Sequence, residues 1–162
     1  NIKIHKQLGV DSFVVMDNNS NDGTTEKLEQ LQKEYEITII YEKGEYNQAK
    51  WMKQLSNIAK NQKADWVINN DADEFWIPKN GKTLKEVLNF KGAVLTCDRF
   101  NMILEKDKNW EDSNYRVENP IFYKKNNQIS EEKISIILTK IGPKVITNPK
   151  GLILIDRKST RL

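Results

Sequence analysis

Four short apolar runs, at residues 13–16, 37–41, 66–68 and 93–97, alternate with longer stretches whose apolar residues recur at helical spacing. Short β-branched and aromatic runs suit strands, and a helix between two strands returns the chain to start the next strand in parallel. The alternation therefore predicts an α/β chain with a mostly parallel sheet and crossover helices. Residues 24–36 place Leu28, Leu31 and Tyr35 on one helical face, with Asp22 and Glu26 near the positive end of the helix dipole. Residues 46–61 carry a stripe of Trp51, Met52, Leu55, Ile58 and Ala59 that reads as core. Pro78 closes the loop after the third run, and Thr83 with Glu86 spells a capping box for a short helix. Past residue 97 the pattern loosens: 109–119 is polar with isolated aromatics, while 134–138, 145–146 and 152–155 read as further strands.

Composition excludes several classes. A chain of 162 residues buries a core without a disulfide or structural metal, and no repeat or linker divides it, so 1–162 is read as one domain. No apolar run approaches the roughly 20 residues of a membrane helix, and residues 1–8 lack the succession of a signal peptide. The net charge of +3 comes from dispersed lysines, which argues against a nucleic-acid stripe. The single cysteine, Cys97, cannot pair within the chain and is expected as a buried thiol. Scarce cysteine fits a reducing cytoplasm, with peripheral attachment at the inner membrane face as an extension of that reading.

Two loops concentrate the chemistry, and both follow predicted strands, where ligands of parallel sheets collect. The first, DNNSNDGT at 17–24, offers carboxylate and amide groups, of which Asp17 and Asn19 are the candidates to read a base or ribose. Turn and cap formation alone is the competing explanation. A calcium loop with Asn18, Ser20, Asp22, Gly23 and Glu29 as its pattern fails: its first ligand is not aspartate, Thr25 stands at the apolar position, and a strand enters it. The second loop, NNDADEFW at 69–76, puts Asp71, Asp73 and Glu74 within four residues. Their mutual repulsion is relieved by a hard divalent ion, which also bridges to a diphosphate. An exposed acidic turn is the alternative, and Phe75 and Trp76 are poor company for one.

The segment HKQLGVDSF at 5–13, running into DNNSNDGT, resembles the opening of family 2-type glycosyltransferases. DADEFW at 71–76 is similar to their DXD motif in order and spacing, and the resemblance covers roughly residues 1–100. It implies the nucleotide-diphospho-sugar transferase (GT-A, Rossmann-like) fold and transfer of a sugar from a nucleoside diphosphate, uridine diphosphate first, to a glycan or other hydroxyl acceptor. It implies Asp17 at the base, Asp71 near ribose and metal, Asp73 as principal ligand of Mn²⁺ or Mg²⁺, and no assigned role for Glu74. His5 falls on the first helix and is read as structural. No histidine follows it, so Asp98 or Glu105 is offered as base from position after a later strand.

Family members also carry a strand ahead of the first helix. The chain is accordingly expected to be incomplete at its N-terminus, with an open sheet edge that favours self-association. It is also expected to be incomplete at its C-terminus, where the cationic run at 157–162 reads as a foreign tail, with an ordinary frayed terminus as the alternative. Residues 1–100 would bind the nucleotide sugar and 101–162 would form the acceptor side. The rival readings are a nucleotide-sugar-binding chain without turnover and a metal-dependent phosphohydrolase of the DxD type.

Overall fold

The computed structural model describes residues 1–101 and 141–150. Helix α1 (Ile2–Gln7) ends in a Schellman motif: the Val10 amide donates to the His5 carbonyl at 2.9 Å and the Gly9 amide to that of Lys6 at 3.0 Å. Gly9 sits at φ +99°, the left-handed conformation this ending requires. The chain then enters β1 (Phe13–Asp17), crosses through α2 (Thr24–Gln32), and returns as β2 (Ile37–Tyr41). The two strands pair in parallel, Phe13 opposite Ile37 and Asp17 opposite Tyr41. The helix stops short of the predicted residue 36. The Leu31 carbonyl takes both the Glu34 and Tyr35 amides, and the Gln32 side chain donates to the Ile37 carbonyl at 2.8 Å, so the last turn tightens into the strand.

Helix α3 (Gln48–Asn61) begins at Asn47, whose side chain accepts the Lys50 amide at 3.1 Å. Tyr46 packs edge-on against Trp51 with ring centroids 5.1 Å apart, a hydrophobic staple between the residues flanking the first turn. Trp51 is buried, and the rest of the predicted stripe is half-buried. Strand β3 (Val67–Ile68) leads through the acidic loop and a 3-10 turn (Lys79–Gly81) to α4 (Leu84–Val87). The Thr83–Glu86 capping box forms as the sequence predicts.

Strands β4 (Val94–Cys97) and β5 (Lys144–Thr147) complete a second sheet of order β3-β5-β4. Within it β3 and β5 run antiparallel, with Ile68 opposite Ile146. Parallel pairing thus holds for β1 and β2, while the third predicted strand finds its partner almost eighty residues on. Among the described residues β1 and β3 do not pair. Cys97 is half-buried and donates weakly to the Asp98 carbonyl at 3.4 Å, so the expected burial of its thiol is not met on this alternating strand.

Two compact units result, one of Asn1–Leu95 with Ile146–Leu162 and the other Thr96–Val145. Among the described residues the buried apolar side chains are Leu28, Ile37, Trp51, Trp76, Leu84 and Ile146, which belong to the first. None of the described helices is long and apolar enough to cross a membrane. The readings at 109–119, 134–138 and 152–155 fall outside the described residues.

Candidate active site

Three loops meet above the first unit's strands, those following β1, β2 and β3. Asp17 closes β1 and is only 3% exposed. Its Oδ1 accepts the Ser20 amide at 3.0 Å and its Oδ2 accepts the Thr25 hydroxyl. These donations from Ser20 and Thr25 stabilise the carboxylate and hold its pKa below the ordinary value, against the opposing effect of burial. Asp22, one residue ahead of the N-cap Gly23, accepts the Thr24 amide at 3.1 Å, and hydrogen bonding from Thr24 lowers its pKa too. Asn19 is exposed and takes a left-handed φ of +56°. The Asn18 amide ties this loop to the next, donating to the carbonyls of Glu42 at 2.9 Å and Gly44 at 3.2 Å. Of the calcium-type ligands weighed above, Glu29 instead accepts the Tyr41 hydroxyl at 3.0 Å.

The acidic loop turns at Asp71, whose carbonyl accepts the Glu74 amide at 3.1 Å. Gln48, the first residue of α3, donates to Asp71 Oδ1 at 3.3 Å. Asp73 is exposed, and its carboxylate has no hydrogen-bond or ion-pair partner among the described residues. Among those residues no set of three acidic, imidazole or thiol groups converges as a metal cluster. Asp17 and Asp71 line one cavity of about 1540 Å³, whose walls include Val14 and Met16 of β1 and Val67 of β3. Asn19 and Asp73 are not among its lining residues. Asp98 follows β4 in the second unit and is exposed, while Glu105 lies outside the described residues.

The back of the loop is held by residues other than its carboxylates. Asn1 donates from its side chain to the carbonyls of Ala72 at 3.0 Å and Glu74 at 2.7 Å. The Trp76 indole donates to Asn70 Oδ1 at 2.8 Å, and the Asn70 amide donates to the Glu74 carbonyl at 3.2 Å. His5 is 3% exposed; its Nε2 accepts the Trp76 backbone amide at 3.1 Å and its ring stacks on Phe75 at 5.9 Å. Burial is the main cause that lowers its pKa. The one available signal was Asn70 and Trp76 flanking three carboxylates: a buried indole N–H needs an acceptor.

Residues 4–142 match Glycosyl transferase family 2. The chain belongs to that family. Neither the curated proteins nor the solved structures compared with it gave a match. As a family 2 glycosyltransferase the chain has the nucleotide-sugar transferase fold, of which the parallel β1–α2–β2 unit is a part. The family match runs well beyond the residues 1–100 on which the motifs lie and takes in both Asp98 and Glu105. The match supports an enzyme that transfers glycosyl groups.

Proposed function

We propose that this glycosyltransferase moves a sugar from a nucleoside diphosphate, uridine diphosphate first, to a hydroxyl acceptor, with Mn²⁺ or Mg²⁺ held by Asp71 and Asp73. The observation that carries this reading is the pairing of an unpartnered, exposed Asp73 carboxylate with Asp71, which lines the same cavity as Asp17. Two carboxylates fit such an ion, because Mg²⁺ and Mn²⁺ sites of this kind take one or two acidic side chains and fill the remainder with water and substrate phosphate. When bound, the ion offsets negative charge on the departing diphosphate.

Asp17, with Asn19, lies on the nucleotide side in this reading, and the hydrogen bonds to Asp17 keep its loop in one shape for the base. Asp71 serves both nucleotide and metal. In the transfer the acceptor oxygen bonds to the anomeric carbon, the bond from that carbon to the diphosphate oxygen breaks, and the diphosphate leaves with the electron pair. The acceptor proton passes to a carboxylate base, for which Asp98 and Glu105 are the candidates. Residues 1–100 then supply the donor side and 101–162 the acceptor side.

Calorimetric titration with uridine diphosphate, with and without Mn²⁺, tests the reading. Metal-dependent binding supports it. Binding with no transfer to any hydroxyl acceptor would favour a binding-only protein, and hydrolysis of simple phosphoesters would revive the phosphohydrolase, which family membership disfavours.

A further inference from the structure

The acidic loop must bring Asp71, Asp73 and Glu74 together before any cation arrives, and the repulsion among them works against a fixed shape. One chain of its hydrogen bonds leads back to a buried ring. His5 Nδ1 lies 3.2 Å from the Asn1 carbonyl oxygen, which can only accept, so Nδ1 carries the proton. That leaves Nε2 bare, and it accepts the Trp76 amide at 3.1 Å. Each ring nitrogen thus has one partner, in the neutral Nδ1–H tautomer. Trp76 in turn is 6% exposed and hands its indole N–H to Asn70, which secures the Glu74 carbonyl. The same Glu74 carbonyl also accepts from Asn1, the residue whose backbone oxygen accepts the hydrogen bond from His5 Nδ1.

We propose that His5 is a positioning residue for the acidic loop: its bare Nε2 fixes Trp76, and through Trp76 and Asn70 it fixes the backbone that presents Asp71 and Asp73. The inference rests on the proposed metal role of that loop. His5 touches neither carboxylate; it acts by removing conformational freedom that metal binding would otherwise have to remove. A side chain that merely filled the space would leave the Trp76 amide buried without an acceptor, which loosens the loop.

Three variants separate positioning from space filling. Glutamine extends an amide to about the place of Nε2, leucine fills volume with no acceptor, and asparagine reaches only about as far as Nδ1. Mn²⁺ alone is the binding probe, read by calorimetry, and amide hydrogen exchange across residues 71–76 reads the loop directly. His5→Leu and His5→Asn are expected to weaken Mn²⁺ binding about three- to tenfold, the loss of one buried hydrogen bond, and to speed exchange in the loop. His5→Gln is expected to restore both. Leucine and glutamine variants that behave alike, or a folded His5→Leu protein with wild-type exchange, would overturn the proposal. Should wild-type protein bind no Mn²⁺, the metal reading fails, and the exchange pattern alone decides the role of His5. Should His5→Leu not fold, Trp76→Phe breaks the next link; unchanged exchange at Glu74 in that variant overturns the proposal equally.

Discussion

Replacing Asp17 by alanine removes two hydrogen bonds to a charged acceptor in one step. The Thr25 hydroxyl and the Ser20 amide both donate to this carboxylate. Bonds to charged groups contribute about 1.5–3 kcal/mol each, and Ser20 is exposed enough for water to replace part of its share. Asp17→Ala should therefore cost roughly 2–4 kcal/mol of stability, and Thr25→Val, which removes one donor, about half of that. The pH dependence has a definite sign. Because the folded pKa lies below the ordinary 3.8, the carboxylate stabilises the fold above that value, and the contribution is lost as pH falls through the folded pKa. Urea unfolding at pH 7 and again at pH 3 measures both. Equal midpoints for wild type and Asp17→Ala at pH 7, or a difference that grows on acidification, would refute the hydrogen-bond argument. The same variant titrated with uridine diphosphate bears on base reading: unchanged affinity and nucleotide preference would leave Asp17 with its loop-forming role alone.

Asp73→Asn should weaken Mn²⁺ binding at least tenfold in calorimetry while the melting temperature stays near wild type, since the carboxylate has no partner among the described residues. Thr83→Ala, which opens the capping box of α4, should lower unfolding free energy by about 1 kcal/mol in urea. The pKa of His5 lies below the ordinary imidazole value of 6.5, so the neutral ring belongs to the folded state; stability is full above about 6.5 and declines as pH falls below it, and His5→Gln should flatten that slope in melts between pH 7 and 5. The edge of β1 away from β2 has no strand partner among the described residues, and sedimentation should show association that grows with concentration; a monodisperse monomer at high concentration would remove this expectation.

What could be read from sequence was what is decided locally. The run Ile37–Tyr41 is β-branched and bounded, and it forms a strand with those limits. The Thr83–Glu86 box and the Asp71–Glu74 cluster announce themselves because their chemistry lies within four residues. The pairing of Ile68 with Ile146 was out of reach, since two apolar residues carry no information about a partner so far along the chain. Asp17 was read as a candidate to contact a base, with turn formation as the alternative, and only folding shows both of its oxygens engaged by its own neighbours. His5 was read as structural from its place on a helix; its link to Trp76 spans seventy-one positions and has no periodic trace.

The way the chain leaves and rejoins the first unit bears on how such an enzyme can change. It departs along β4 and comes back along β5, and at the seam the Asn148 amide donates to the Ala93 carbonyl at 2.8 Å. Departure and return are thus bonded neighbours, and the intervening Thr96–Val145 is an insertion closed at its root. Closing a longer insertion costs little, about 0.6 kcal/mol for each doubling of its length. The chain between Cys97 and Lys144 can therefore be lengthened or shortened at little closing cost, which makes the β4–β5 seam the natural grafting point for building hybrid enzymes on this scaffold.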